Sequence, residues 1–274
     1  MTTEITTKNI LSNEDRAKLK KAKQHMEQIG WAMKGLNKVG NVIESRINLL
    51  PKKQQQWLQK TTYKVLHTVV KSNLISMKAH KTNTVPWNKT YKALVTSSGV
   101  LGGALGATAF AADLTLTTKL MMRSIMDIAR NEGEDLTVLD TQIACLQVFA
   151  LGGNSKHDDS IETGYYASRI AIDTTVKGST AYAGRALEGL LTGSTNPLVQ
   201  LIGAVASRFS VQVSEKFVSQ AVPVLGAAGG AAINLAFIHH FQRMAQAHFC
   251  IRRLERKYGD SLIKTSYEAI EIDS

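Results

Sequence analysis

Cysteine is nearly absent from this 274-residue chain: there are two, Cys145 and Cys250, each inside an apolar helical pattern. A disulfide framework and a CxxC metal or redox site are thereby excluded, and the two thiols read as reduced core residues of a cytoplasmic protein. The sequence has no GxSxG, HExxH or GxxxxGK[ST], and no GxGxxG after a strand. Without those signatures no catalytic residues and no cofactor are assigned, and a binding or accessory role is expected ahead of a hydrolase or lyase hidden in the fold. Sustained two-residue alternation with β-branched enrichment is also missing, apart from the short ambiguous run FSVQV at 209–213. That leaves an all-α fold, a multi-helix bundle. The start of the chain, MTTEITTKNILSNEDRAKLKKAK, has charges with no apolar stretch behind them, which argues against a secretory signal peptide.

Acidic residues are scarce where basic ones are dense. The formal net charge is +11, yet 18 Lys/Arg face only 5 Asp/Glu up to residue 92, while 15 face 17 in the remainder. With 44% hydrophobic residues the chain can bury a core, so full disorder is excluded. The expected organisation is a basic amphipathic helical arm over 1–92 and a helical domain over 93–274. Such an arm points to a polyanionic partner, a membrane surface or a nucleic acid.

Within the arm, Leu19, Ala22, Met26, Ile29, Met33, Leu36, Gly40, Ile43, Ile47 and Leu50 keep a three-four alternation that predicts one amphipathic helix, limited by Pro51. Gly30, Gly35 and Gly40 each cost roughly 1 kcal/mol relative to Ala, so that helix needs a surface to lie on. A second helix is predicted from about Lys52 to Lys78, and the turn chemistry of 80–92 marks a boundary. Lys18, Lys20, Lys21, Lys23, Lys34, Lys38 and Arg46 flank the seam, followed by Lys52 and Lys53. Near an anionic leaflet each engaged cation is worth on the order of 1 kcal/mol. Trp87 and Tyr91, with Lys89 and Lys92, resemble an interfacial anchor. Trp31, Trp57 and Tyr63 could stack bases, but no RRM, KH or helix-turn-helix pattern accompanies them, so nucleic acid is the weaker partner. A solvated face packed on the body is the alternative use of the same charges.

Two Gly/Ala-rich uncharged runs, Ala93 to Ala112 and Phe217 to Ile238, each flow into an amphipathic helix ending in basic residues. Gly99, Gly102, Gly103 and Gly106, and again Gly226, Gly229 and Gly230, fall on one helix face, where they permit close backbone approach. Each run is long enough to span a bilayer but poorly hydrophobic, so close packing in a bundle, conditional insertion and stable spanning remain as three readings. A degenerate internal duplication is a further possibility.

Further along, Thr137 and Asp140 read as a T-x-x-D cap ahead of IACLQVFAL, which Gly152 and Gly153 end. A helix is predicted near 161–176, Gly178 separates it from TAYAGRALEGLL, and Pro197 suits the first turn of another. Pro223 begins or kinks the last long helix, and Gly259 closes it after Arg252, Arg253, Arg256 and Lys257.

Taken together, ADLTLTTKLMMRSIMDIAR (112–130), CLQVFALGG (145–153), ETGYY (162–166) and AVPVLGAAGGAAINLAFIHHFQRMAQAHFCIRRLERKYG (221–259) resemble the EcsC family of bacterial proteins over roughly residues 93–265. The resemblance implies an association with the cell envelope and with ABC-transporter gene neighbourhoods, hence with membrane transport proteins. It carries no catalytic residues across.

Polar residues within apolar helices are the remaining candidates. Asp113, Lys119, Arg123 and Asp127 have the spacing of i, i+4 pairs along one helix, and Glu162, Tyr165, Glu215, His240, Arg243 and His248 come from other segments. Their convergence would form a polar pocket for a head group or small anion; structural salt bridges are the alternative. His157, Asp158, Asp159 and Glu162, or His239, His240 and His248, have ligand chemistry, but the first set falls in an expected exposed loop and in the second His240 and His248 are two turns apart on a helix, too far for one ion unless another element intervenes, so no metal is assigned.

Overall fold

A computed structural model describes residues 11–27, 50–77, 90–93, 106–151, 164–177, 197–220 and 226–272. Its elements are α1 (Asn13–Glu27), α2 (Lys52–Met77), α3 (Gly106–Asn131), α4 (Leu139–Gln147) running into a 3-10 turn (Val148–Ala150), α5 (Tyr165–Lys177), α6 (Pro197–Gln220), α7 (Gly226–Tyr258) and α8 (Asp260–Ala269). A further helical turn lies at 90–93, and no strand occurs among the described residues. The fold is all-α, a compact bundle.

The bundle is organised by α7. At 33 residues it is about 50 Å long, and it packs against α1, α3, α6, α8 and the 3-10 turn. Its sequence explains this. Ile233, Phe237, Phe241, Met244, His248, Ile251 and Glu255 are all buried and spaced by three or four residues. A second buried row, Asn234, Ile238, Gln242, Ala245 and Phe249, runs beside the first. An outer stripe runs through Ala232, Leu235, His239, Arg243 and Gln246. On α3 the buried set Phe110, Leu114, Met121, Ile125 and Ile128 makes the matching face. The core centres on Phe149, Phe209, Phe237 and Phe241, whose rings meet edge to face or tilted except for the stacked Phe209–Phe237 pair, with Phe149 and Phe209 5.0 Å apart. Each such ring contributes roughly 1.5–3 kcal/mol by burial.

The residues assigned to the arm share this core. Helix α1 packs on α7 and α8, and α2 packs on α6 and α3; Leu19, Leu58 and Leu66 are fully buried. The predicted continuous helix over 19–50 is described only to Glu27. Gly99, Gly102 and Gly103 lie outside the described residues; α3 begins at Gly106, and α7 at Gly226 with Gly229 and Gly230 in its first turns.

One ambiguity is resolved and two local expectations are corrected. The ambiguous run at 209–213 is helical, because Leu201, Val205, Phe209 and Val213 extend one buried helical row. Thr137 does not cap α4: Val138 holds the N-cap position with no side-chain cap bond, while the Thr137 amide and hydroxyl both donate to Asp135 Oδ1, at 2.9 and 2.7 Å. Asp135 therefore takes Thr137 into its own turn. Gly259 ends α7 as expected, but the chain re-enters a helix at once, with Gly259 (φ 92) at the N-cap of α8. Gly133 (φ 81) ends α3 in a Schellman arrangement, its amide donating to the Arg130 carbonyl and that of Glu134 to Ala129. This turn aims Glu134 at α7.

Candidate functional site

The residues expected to form one polar pocket are distributed over separate places. Asp113 is at the centre of the first. It is buried on α3; Lys216 of α6 donates to its Oδ2 at 2.8 Å, and Asn234 of α7 donates to Oδ1 at 2.9 Å. The Thr117 hydroxyl adds a weaker bond at 3.4 Å. Burial pulls the Lys216 ammonium down and Asp113 opposes it, and the ammonium also stands 5.1 Å over the Phe237 ring. Three helices are thus fixed in register by one buried carboxylate, as an uncompensated charge there would be strongly destabilising. The i, i+4 pairing proposed along α3 is replaced by this pairing between helices. Lys119 and Arg123 are exposed, and Asp127 binds Arg130 at 3.0 Å and the Tyr91 hydroxyl at 2.9 Å.

Tyr165 and His248 belong to a second cluster. The Tyr165 hydroxyl and His248 Nδ1 are 2.9 Å apart, both buried. Arg169 holds both oxygens of Glu255 at 2.7 and 2.8 Å, and Tyr166 donates to Glu255 Oε1 at 3.0 Å. Tyr165, Tyr166 and Tyr267 surround this pair, their rings meeting edge to face or tilted with centres 4.9–5.6 Å apart. Burial, then Arg169 and Arg252, hold the His248 imidazole well below its ordinary range, so it is neutral at pH 7. His240 lies elsewhere, against Phe241. Burial, then Arg243 and His239, hold it down to about 4, with the Leu151 backbone pulling the other way.

Also toward the C-terminal end of α7, Arg252 binds Glu134 at 2.8 Å and Asp140 at 2.7 Å, Arg256 binds Glu134, and Arg253 binds Glu132 at 2.6 Å. Burial would raise the Glu134 carboxyl, but Arg252, Thr141 and Arg256 together bring it below its ordinary value. These ions lock α7 to the α3–α4 turn. Among the described residues no group of three or more His, Cys, Asp or Glu is arranged to hold a metal. Such an arrangement, acids paired with bases and imidazoles kept neutral, holds helices together.

Cations expected on the surface divide as well. Lys23 is buried and donates to the Ile270 carbonyl at 2.8 Å and to that of Glu268 at 3.5 Å, tying α1 to the end of α8. Tyr91 is half-buried with its hydroxyl on Asp127, and burial followed by that carboxylate pushes it up to about 12. Lys18 pairs with Glu14 and is half-exposed, Lys20 is half-exposed and Lys21 exposed. Lys52 and Lys53 are exposed in the first turn of α2. Lys34, Lys38, Arg46, Trp87 and Glu162 lie outside the described residues. Glu215 is half-exposed, its carbonyl accepting from Ser219, and Arg243 is half-exposed on the outer stripe of α7.

Sequence reasoning missed Lys216, Asn234, Arg169, Tyr166, Glu255 and Tyr267. Two signals were present: Lys216 interrupts an apolar stretch of α6, and Glu255 continues the buried row of α7 in register.

The class this defines is an all-α bundle braced by buried ion pairs, with lysine-rich outer helices. The EcsC protein family model matches residues 13–254, and the chain belongs to that family. The match begins within α1, well before the residue 93 at which the resemblance was recognisable, so α1 and α2 are part of the family's common unit. No curated protein and no solved structure matches the chain.

Proposed function

We propose that this EcsC family member is a non-catalytic accessory protein that binds the anionic cytoplasmic surface of a membrane, peripheral to the inner membrane, and acts there in support of a transport system or the envelope. The observation that carries the reading is helix α2. Its 26 residues contain no Asp or Glu, and Lys52, Lys53, Lys60 and Lys64 are exposed. Its apolar side, Leu58, Val65, Leu66, Val69 and Val70, is buried in the bundle, so folding leaves the cations facing outward. Four lysines at about 1 kcal/mol each near an anionic leaflet supply roughly a thousandfold preference over a neutral one. Two exposed lysines in the first turn also oppose the positive end of the α2 macrodipole, an arrangement that nearby anions relieve.

Among the described residues no helix is long and apolar enough to cross a membrane, which favours surface attachment by these helices. The test is co-sedimentation with phosphatidylglycerol vesicles and with neutral phosphatidylcholine vesicles at low and high salt. Binding to the anionic vesicles that falls as salt rises is expected. Equal binding to both, or to neither, overturns the proposal.

A further inference from the structure

Helix α2 carries aromatic rings within its charged face. Trp57 stands four residues after Lys53, three before Lys60 and seven before Lys64, spacings that put all four on one side of the helix. The lysines are exposed and Trp57 is half-buried among them. On the other shoulder of the stripe Tyr63 stacks on His67, with ring centres 6.2 Å apart, and both are half-buried as well. The cations therefore run between aromatic side chains that folding covers only in part.

Packing fixes the place of Trp57 in the bundle. Its ring centre is 6.2 Å from that of Phe110 on α3 and 5.9 Å from that of Phe217 on α6, and those two rings meet edge to face at 5.0 Å. Phe110 is buried, whereas Phe217, like Trp57, is half-buried, so the three rings lead from the core to the surface. Phe110 belongs to the uncharged run 93–112, and Phe217 begins the run 217–238. The helices packed on α2 add little negative charge. On α3, Asp113 is held by Lys216, and Asp127 is taken by Tyr91 and Arg130; α6 has one carboxylate, that of Glu215.

We infer, resting on attachment through α2 as proposed above, that this helix lies flat on the anionic bilayer with the Trp57 indole seated among the head groups, so that the corner of the bundle formed by Phe110 and Phe217 faces the membrane. Lys53 and Lys64 are eleven residues apart, about 16 Å along the helix, and can reach head groups together only if the axis runs along the surface. An indole joins an apolar body to one N–H donor, which suits the zone between head groups and acyl chains. With Phe110 and Phe217 packed against it, Trp57 is the outer member of an apolar cluster rather than a free-standing platform for a base, which favours a bilayer over a nucleic-acid strand.

The experiment uses the full chain with Trp31→Phe/Trp87→Phe, which leaves Trp57 as the one tryptophan. Its emission is followed with phosphatidylglycerol vesicles, unlabelled or carrying bromine at the upper part or at the ends of the acyl chains, beside co-sedimentation of the same samples. Expected is a shift of emission to shorter wavelength on binding, with quenching strongest by the upper label. If the double variant sediments less than the wild-type chain, the quenching lost on Trp57→Phe in the otherwise wild-type chain gives the same reading. Co-sedimentation with emission unmoved and unquenched overturns the seating of Trp57 while attachment through α2 stands. Quenching strongest by the chain-end label places the ring in the hydrocarbon core and overturns flat seating. Absence of co-sedimentation overturns both readings, and quenching by a single-stranded oligonucleotide with none by labelled lipid assigns the face to nucleic acid instead.

Discussion

Lys216 Nζ lies 2.8 Å from Asp113 Oδ2 although 103 residues separate them, and both side chains are almost completely withdrawn from water. Removing one member leaves the other charged and buried. Lys216→Met and Asp113→Ala are each expected to destabilise the protein by roughly 3–5 kcal/mol in urea denaturation. The double variant Asp113→Leu/Lys216→Met should recover most of that loss. A double variant as unstable as the sum of the singles would show that the pair has no energetic coupling.

Stability should decline in mild acid because of the buried imidazoles. His240 is held down to about 4 and His248 well below its ordinary value. Both are neutral when folded and take up protons when unfolded once pH drops below about 6.5. The unfolded state then binds more protons, so stability is present in full above about pH 6.5 and is lost as pH falls toward 4, by up to roughly 1.4 kcal/mol per pH unit for each group. His240→Leu should flatten the dependence of the urea midpoint on pH between 6.5 and 4.

Two carboxylates of the α3–α4 turn should differ in weight. Glu134 is buried and holds Arg252, whose side chain is 11% exposed; Glu132 and Arg253 are 26% and 34% exposed. Glu134→Gln is expected to cost about 2–4 kcal/mol, because it removes the buried carboxylate and leaves the mostly buried Arg252 guanidinium only the exposed Asp140. Glu132→Gln should cost under about 1 kcal/mol. Thermal unfolding of the two variants side by side checks the order.

Glycine substitutions should split by backbone conformation. Gly259 has φ 92 and ψ 145, a region that L-residues avoid, and Gly259→Ala should destabilise by roughly 1–3 kcal/mol. Gly203 is inside helix α6 with open space where a Cβ would go, and Gly203→Ala should stabilise by up to about 1 kcal/mol.

What was legible in the sequence was whatever a local period encodes. The Gly/Ala-rich run flowing into a helix that ends in Arg252, Arg253, Arg256 and Lys257 announced α7, and Pro197 marked the start of α6 as observed. The partners of Asp113 were not legible, because Lys216 and Asn234 lie 103 and 121 residues away and no local pattern records a pairing between helices. Lys23 was counted with the surface cations since its charge is visible in sequence, whereas the carbonyls at the end of α8 that take its ammonium are not. Helix α8 was overlooked because Gly259 read as a terminator; the spacing of Ile263, Tyr267 and Ile270 was the available signal.

The most direct measurement for the account compares the affinity of the wild-type chain for phosphatidylglycerol vesicles with that of the variant Lys52→Gln/Lys53→Gln/Lys60→Gln/Lys64→Gln, at one low salt concentration. All four residues are exposed on α2, so folding should be preserved and circular dichroism unchanged. A loss of about two to three orders of magnitude is predicted. Undiminished binding by the well-folded variant would contradict attachment through the α2 lysines.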